Sequence, residues 1–327
     1  MQFGPVPTDQ SRGAILAHSI QIGSTRLRKG LLLEDDHISA LKAAGVEEIT
    51  VARLDVDDVH EDVAAAELAK AVVARDARLR LGPASTGRAN IFAETPGLAQ
   101  IDAAAIDAFN AVNPMITVAT VPQWQRMASG GMVATVKVIA YGVARDALAQ
   151  ACTAGAGAIG LCVPQIKTAS FIETQTGPGP SSPKGETAMR QRLDRLGVAL
   201  SPRELVKHEV ADLAQTLGQA GGEVIFILTG SATSDPHDTA PQAVRQAGGS
   251  VAHFGMPVDP GNLLFIGELG GRPVIGLPGC ARSPALNGAD WVLERVLCGV
   301  PVTGRDIMGM GVGGLLKEIP SRPRPRE

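Results

Sequence analysis

Three loops in the second half of the chain have the residue types of phosphate-binding turns. They are rich in Gly, Ser and Thr, and each follows an apolar run and precedes a helical pattern: residues 174–183 (TQTGPGPSSP), 229–238 (TGSATSDPHD) and 278–284 (PGCARSP). Glycine lets the backbone approach a ligand closely, and the amides at a helix start, together with hydroxyl groups, bind phosphate well. One such loop is commonly a plain connection between a strand and a helix, and with three at equivalent positions a shared ligand site and plain connections are both open.

These loops are expected to connect the strands and helices of a parallel sheet. From Lys167 onward, apolar strand patterns alternate with helical patterns, which is typical of a parallel sheet with right-handed crossovers. In such a sheet the loops that follow the strands meet at the carboxyl edge, where ligands bind in a crevice. Predicted strands cover residues 169–173, 223–228, 263–266 and 273–277, and predicted helices begin at Ser182-Pro183, cover 210–220 and 241–247, and begin again at Ser283-Pro284.

The same patterns predict the domain organisation of an α/β protein. The larger, C-terminal domain is expected to be a three-layer structure around a parallel or mixed sheet, over residues 160–300. Smaller mixed α/β or β-rich domains precede it: an α/β segment over residues 1–76 and a small mixed domain over residues 77–150. Residues 301–327, rich in Gly and then in Pro and Arg, are interpreted as a tail or linker.

Composition narrows the class of function. Hydrophobic residues make up 45% of the chain and charged residues 19%, which is enough apolar material for a sizeable core. The aromatic content of 3% and the net charge of −3 argue against binding of nucleic acid or of an anionic membrane surface. The four cysteines lie far apart without metal-ligand spacing, and the N-terminus lacks a signal-peptide pattern, so a cytoplasmic protein is expected.

An ordered series of motifs in the second half resembles the molybdenum-cofactor biosynthesis domain of molybdopterin molybdotransferases and molybdopterin adenylyltransferases. The resemblance extends over residues 167–300, and residues 13–54 resemble the N-terminal region of molybdopterin-binding proteins, some of which continue into a nucleotidyltransferase. Thr229-Gly230-Ser231 stands where that domain has its TGG-type loop, and Asp238 matches the acid that closes the loop. Pro260-Gly261-Asn262 resembles its proline-glycine loop. Gly276-Leu277-Pro278-Gly279, followed by Ser283-Pro284, matches its LPG turn before the last helix.

The resemblance implies that the ligand is molybdopterin or its adenylylated or metallated form. Its terminal phosphate would lie among the residues of the TGS loop and the helix start at Ser283, and its pterin edge near Asn262. The cofactor-binding residues implied in this way are Thr176, Gly177, Thr229, Gly230, Ser231, Pro260, Gly261, Asn262, Pro278, Gly279, Ser283 and Pro284.

Two acids in the second loop become candidate metal ligands by the same resemblance. Asp235 and Asp238 would hold Mg²⁺ or shape a pyrophosphate site, because a hard cation takes carboxylate oxygens. An aspartate just before a helix is equally typical of an N-cap, which is the alternative for both residues. The sequence leaves both roles open.

The chain departs from the molybdotransferases at their acidic positions. It lacks their N-terminal DNSAMDGYA-type segment, and its first loop reads Thr176-Gly177-Pro178-Gly179 where those enzymes carry a TGDE-type motif. A third family acid is replaced by Lys207-His208-Glu209, where Glu209 is the residue that can stand in for it. Metal insertion and adenylate cleavage need acids that place Mg²⁺ and molybdate, so binding ranks above catalysis.

Three functions follow from this resemblance. The first is molybdopterin binding, in which the protein handles this small-molecule pterin during maturation or delivery. The second is an active molybdotransferase, a transferase that inserts molybdate with Mg²⁺ through Asp235, Asp238 and Glu209 as catalytic residues. The third is a non-catalytic scaffold for a partner nucleotidyltransferase or molybdoenzyme. The sequence contains no LAAGxSxRMG-type nucleotide loop, so cytidylyl or guanylyl transfer is not expected, and a homodimer is implied by the family alone.

Overall fold

The protein is described by a computed structural model over residues 1–178 and 181–316. The chain forms two compact units: Met1–Thr95 with Ala99–Leu161, and Pro96–Leu98 with Cys162–Glu327. Both units mix helices and strands, so the predicted α/β class is confirmed. None of the helices in the described ranges combines the length and apolar character needed to cross a bilayer.

The first unit is built from small sheets and four α-helices. Its sheets have the strand orders β1-β5-β2, β3-β4, β10-β12-β8-β7, β11-β9-β14 and β13-β6. The strands are β1 (Gln2–Pro7), β2 (Ile15–Leu16), β3 (Ile20–Ile22), β4 (Thr25–Leu27), β5 (Glu48–Arg53), β6 (Asp58–His60), β7 (Leu79–Leu81), β8 (Arg88–Ala93), β9 (Gly97–Ile101), β10 (Ile116–Thr120), β11 (Arg126–Met127), β12 (Met132–Val138), β13 (Gly142–Ala144) and β14 (Ile159–Cys162). The helices are α1 (Asp35–Ala43), α2 (Glu61–Val72), α3 (Ala103–Val112) and α4 (Arg145–Ala154), with a 3₁₀ turn at Thr8–Gln10.

The second unit alternates strands and helices around one larger sheet. Its strands are β15 (Thr168–Gln175), β16 (Ala199–Leu200), β17 (Glu204–Lys207), β18 (Val224–Leu228), β19 (Ser250–Phe254), β20 (Phe265–Leu269) and β21 (Arg272–Leu277). Its helices are α5 (Lys184–Asp194), α6 (Val210–Gln219), α7 (Thr239–Gln246), α8 (Gly288–Leu297) and α9 (Gly304–Met308), with 3₁₀ turns at Gly279–Arg282 and Gly309–Gly311.

The sheet of the second unit is mixed, as predicted. Its strand order is β16-β15-β18-β21-β20-β19, and β17 also pairs with β15. Strands β16, β17 and β18 run parallel to β15, and β21 runs parallel to β18. Strand β20 pairs antiparallel with β21, and β19 pairs antiparallel with β20. Glu173 pairs with Leu228, which pairs in turn with Leu277, so β15, β18 and β21 end at the same edge.

Helices cover both faces of this sheet. Every residue of β18 is buried, as expected for a central parallel strand. Its Ile225 and Ile227 belong to a buried cluster with Leu213 and Leu217 of α6. On the other face, α5 is joined to α8 by the buried pair of Arg192 with Asp290. The three-layer arrangement thus follows the predicted pattern.

The last large helix begins later than the sequence predicted. Helix α8 starts at Gly288, because the Asn287 side chain accepts the Ala289 amide at 3.0 Å and the Asp290 carboxylate accepts the Asn287 amide at 2.8 Å. Ser283 instead follows the 3₁₀ turn, and its hydroxyl accepts the Ala285 amide at 3.3 Å. The expected helix start at Ser283-Pro284 is therefore wrong.

Residues 301–316 are folded rather than a bare linker. They contain α9, in which Ile307 is fully buried, and the following Met310 is also buried. The Leu316 amide donates to the Asp259 carbonyl oxygen at 3.0 Å, which ties the segment to the loop before β20. The rest of the predicted tail, residues 317–327, lies outside the described residues.

Candidate functional site

The ends of three strands bring the small-residue loops to one edge of the sheet. Thr176 and Gly177 follow β15, Thr229 follows β18, and Pro278 follows β21. Since the parallel register aligns these strand ends, the three loops are neighbours in the order first, second, third. This is the carboxyl edge, where open α/β sheets bind ligands.

A cavity of about 670 Å³ lies at this edge, between the first loop and the edge strand β17. Three of the residues proposed from the sequence line it: Thr176, Gly177 and Glu209. The other lining residues are Gln175, Pro178, Leu205, Val206, Lys207 and His208. Sequence reasoning missed β17, and it treated Lys207 and His208 only as replacements for a family acid.

The second loop packs against the first through Gly230. Its amide donates to the Thr174 hydroxyl at 2.9 Å. A Cβ added at Gly230 would lie 2.6 Å from the Thr174 carbonyl oxygen and 3.2 Å from the Thr176 amide nitrogen. Glycine is needed here because the backbone of β15 approaches closely, a reason different from the phosphate contact that the sequence suggested.

The hydroxyl groups of Thr229 and Thr233 form hydrogen bonds within the second loop. Thr229 is 3% exposed, and its hydroxyl donates to the Ser231 carbonyl oxygen at 2.6 Å. The Thr229 and Thr233 hydroxyl oxygens lie 3.1 Å apart. Thr229 therefore shapes the loop, whereas Ser231 is exposed beside it.

His208 connects the cavity to both loops. Its Nδ1 lies 2.8 Å from the hydroxyl oxygen of Thr174, the same oxygen that accepts the Gly230 amide. The His208 amide also donates to the Gln175 carbonyl oxygen at 2.9 Å. Backbone and ring are both held against the end of β15.

A buried acid lies beneath the edge and was not found from the sequence. Glu173 is 3% exposed, and its carboxylate accepts from Arg203 at 3.0 Å and from Arg282 at 3.2 Å. Arg282 also donates to the Thr229 carbonyl oxygen at 2.8 Å. One carboxylate thus connects the ends of β15 and β18 with the turn after β21. The sequence signal for this site was a charged residue, Glu173, inside an otherwise apolar strand.

Asp235 and Asp238 lie in the second loop as helix-capping and turn-forming residues. The Asp238 carboxylate accepts the Thr239 amide at 2.6 Å and the Ser234 amide at 3.1 Å, and it is the N-cap of α7. The Asp235 carboxylate accepts the His237 amide at 2.7 Å. Within residues 1–178 and 181–316, no group of three or more His, Cys, Asp or Glu side chains could hold a metal ion. The arrangement fits capping and does not form a metal cage, so the metal and catalytic roles of these acids stay predictions.

The proline-glycine loop packs on the start of α8. The Asp259–Pro260 peptide is cis, and the Gly288 amide donates to the Pro260 carbonyl oxygen at 2.8 Å. Gly261 has a φ of 151°, and a Cβ there would lie 3.0 Å from the Cα of Gly288. Asn262 donates to the Met256 carbonyl oxygen at 3.2 Å. These contacts explain the motif by backbone packing.

The third loop is held by an arginine from α5. Arg192 donates to the carbonyl oxygens of Ala281 at 2.9 Å, Ser283 at 2.8 Å and Ala285 at 3.1 Å. Pro278 precedes the 3₁₀ turn of this loop, Gly279 is the first residue of the turn, and Pro284 follows it. The structure brings these residues to the same edge, but they are not among those that line the cavity.

Comparisons with known proteins give one local family match and likenesses to solved structures. A family model described as a domain of unknown function (DUF8806) matches residues 5–53. No curated protein matches the sequence.

Three of these likenesses are to proteins named for molybdopterin or molybdenum-cofactor biosynthesis. The molybdopterin biosynthesis MoeA protein from Pyrococcus horikosii shares 14% identity, with 95% of this chain and 76% of that chain covered and a TM-score of 0.30. Molybdenum cofactor biosynthesis protein B shares 14% identity over 41% of this chain and 88% of its own, with a TM-score of 0.28. A molybdenum cofactor biosynthesis protein from Pyrococcus furiosus shares 11% identity over 94% of this chain and 65% of its own, with a TM-score of 0.23. At these TM-scores, any functional assignment rests on this chain's own residues.

Proposed function

We propose that the second unit binds a phosphorylated pterin, molybdopterin or a derivative of it, and handles it during molybdenum-cofactor maturation or delivery. The observation that carries the proposal is the cavity at the carboxyl edge of the sheet. Thr176 and Gly177 of the first small-residue loop line this cavity, and the TGS loop is hydrogen-bonded to the same strand end. The resemblance of the motif series over residues 229–284 to the molybdenum-cofactor biosynthesis domain supports molybdopterin as the ligand.

The size and lining of the cavity suit a small anionic molecule. Its volume of about 670 Å³ falls within the usual range for small-molecule sites, roughly 300–1,000 Å³. Lys207 provides a cation, and His208, Thr176 and the backbone near Gly177 provide polar groups. Helix α6 begins directly behind Glu209, whose side chain does not cap it, and the positive end of a helix dipole favours an anion.

Each lining residue has a role in binding rather than in bond cleavage. Lys207 would neutralise charge on the phosphate, Thr176 and Gly177 would approach it through backbone and hydroxyl groups, and Leu205 and Val206 would contact the ring system. Molybdate insertion would need acids that place a metal, and Glu209 is the acid among the lining residues. Binding is therefore proposed ahead of transfer, and a nucleotidyltransferase or molybdoenzyme would be the receiving partner.

An anaerobic titration of the full chain with molybdopterin tests the proposal. The wild-type protein should bind saturably, and Gly177→Leu should lose binding because its side chain would fill the cavity. A Cβ at Gly177 meets no atom within 4 Å, so this variant should fold normally. Gly218→Leu is the matched control, since Gly218 is exposed on α6 with equally open surroundings. Absence of binding by the wild type, as a scaffold would show, or equal binding by Gly177→Leu, would reject the proposal.

A further inference from the structure

We propose that His208 is the residue that donates a hydrogen bond from Nε2 to an anionic oxygen of the ligand, and that Thr174 fixes the ring in the tautomer able to do so. The inference deepens the proposed function, because it names a binding group of that same cavity. The ligand chemistry it specifies is a phosphate-type oxyanion. Nothing in the motif series indicates this histidine.

The tautomer follows from the partners of the Thr174 hydroxyl. Thr174 is 2% exposed, so its hydroxyl has to find its hydrogen-bond partners within the protein. The Gly230 amide can only donate, and it donates to this oxygen at 2.9 Å. The buried hydroxyl proton still needs an acceptor, and within the described residues the remaining partner of this oxygen is Nδ1 of His208, 2.8 Å away. A neutral imidazole that accepts at Nδ1 carries its proton on Nε2.

The position of His208 makes that proton available to the cavity. The His208 amide is bonded to Gln175 and Nδ1 is bonded to Thr174, so the remaining polar atom of the ring is Nε2. Among residues 1–178 and 181–316 no hydrogen bond joins Nε2 to another group. His208 lines the cavity next to Lys207, whose cation favours an anionic acceptor. A hydrogen-bond donor at His208 beside the cation of Lys207 would attract a phosphate oxygen and repel a positively charged ligand.

The pairing also connects the two loops that the ligand would meet. The hydrogen bonds run from the Gly230 amide to the Thr174 hydroxyl, and from that hydroxyl to the His208 ring. A change in the second loop would therefore reach the cavity through one buried oxygen. Thr174 acts here as a positioning residue, whereas His208 contacts the ligand.

Nitrogen-15 NMR of the imidazole rings and binding titrations test the two parts together. In the full-length wild type, neutral His208 should be the Nε2–H tautomer, and Thr174→Val should convert it to a mixture of tautomers. Thr174→Ser, which keeps the hydroxyl, should restore the wild-type spectrum. Thr216→Val is the control for loss of a hydroxyl, because the Thr216 hydroxyl donates to the Asp212 carbonyl oxygen of its own helix. A wild-type spectrum that shows Nδ1–H, or one unchanged in Thr174→Val, would overturn the proposal.

Binding is measured with inorganic phosphate, phosphate-free neopterin and molybdopterin. His208→Asn should weaken binding of phosphate and of molybdopterin about 10- to 100-fold, the loss typical of a hydrogen bond to a charged group. His208→Gln, whose amide nitrogen can stand near the Nε2 position, should recover part of that loss, and neopterin binding should not change in either variant.

Molybdopterin affinity unchanged in His208→Asn overturns the role of His208 while the proposed function stands. Phosphate binding that depends on His208, without any pterin binding, rejects the proposed function and supports the role of His208. Absence of phosphate binding by the wild type overturns the inference.

Discussion

The carboxylate of Glu173 at the end of β15 lies 3.2 Å from the guanidinium of Arg282, which is 109 residues further along the chain. The same guanidinium donates a hydrogen bond to the Thr229 carbonyl oxygen at 2.8 Å. Glu173 is almost completely buried, and Arg203 is its second cation. The buried charge of Glu173 therefore contributes to the relative positions of the three loops at this edge.

Replacing Glu173 with Gln should lower the free energy of unfolding by about 1.5–3 kcal/mol, since it removes the buried negative charge and weakens the hydrogen bonds from Arg203 and Arg282. Because Glu173 would no longer position the guanidinium of Arg282, which binds the Thr229 carbonyl oxygen, ligand affinity should fall as well. Urea denaturation and the molybdopterin titration measure the two effects. Arg190→Gln, which removes the exposed i,i+4 ion pair of α5, is the control and should change stability by no more than about 0.5 kcal/mol. Equal losses of stability in Glu173→Gln and Arg190→Gln would show that the buried ion pairs stabilise the protein no more than the exposed one.

Gly230→Ala should destabilise the protein, whereas Gly177→Ala should not. A Cβ at Gly230 would lie 2.6 Å from the Thr174 carbonyl oxygen, so the backbone has to shift, at a cost of about 1–3 kcal/mol. A Cβ at Gly177 meets no atom within 4 Å, and its effect should stay within about 0.5 kcal/mol. Thermal unfolding of the two variants compares them directly. A Gly230→Ala protein as stable as the wild type would mean that the second loop does not press on β15.

Asp238→Ala should cost about 0.5–2 kcal/mol through loss of the N-cap of α7. Asp238→Ser should recover most of that loss, because a serine hydroxyl also caps helices. The pair separates capping from metal binding, since serine keeps the cap and removes the carboxylate. We expect Asp238→Ser to leave any Mg²⁺ dependence of ligand binding unchanged. Loss of a Mg²⁺ effect seen in the wild type would assign the carboxylate to a metal site.

The Glu223 carboxylate should contribute to stability at neutral pH and not in acid. The amides of Lys167 and Thr168 donate to it at 2.8 and 2.9 Å, and these hydrogen bonds lower the pKa of Glu223 below its ordinary value. A lowered folded-state pKa means that the contribution is present above the unfolded pKa, roughly 4.3, and is lost as the pH falls through the folded pKa.

The comparison of the wild type with Glu223→Gln isolates this contribution. The wild type should be the more stable protein in urea at about pH 7. The difference should shrink as the pH falls below the ordinary pKa of a glutamate, about 4.3, and vanish below the lowered folded-state pKa. A difference in denaturation midpoint that does not change with pH would contradict the assignment.

The sequence was sufficient for the parts of the fold that local patterns determine. Strand β18 was predictable because its five residues are all apolar, and α6 because Leu213 and Leu217 follow helical spacing. Strand β17 was missed because it is a short strand at the edge of the sheet, paired with β15. Its Leu205 is 43% exposed, so the strand lacks the pattern of buried apolar residues that predicts a strand. The cavity lies against that missed strand, which explains why His208 was not recognised as a lining residue.

Long-range contacts account for the remaining differences. Ser283-Pro284 has the local pattern of a helix start, but Arg192 of α5 binds the carbonyl oxygens of Ser283 and Ala285 and keeps this segment extended. The capping box of Asn287 then begins the helix. Similarly, the role of Gly230 depends on β15 approaching from 56 residues earlier in the chain. Such contacts cannot be inferred from local residue types.

A crystal structure of the protein with bound molybdopterin tests the central claim most directly. We predict ligand density in the cavity between the end of β15 and β17, with a phosphate oxygen within hydrogen-bonding distance of Nε2 of His208. Ligand density that touches neither residues 175–178 nor residues 207–209, for example beside Asn262 and Ser283 alone, would contradict the account.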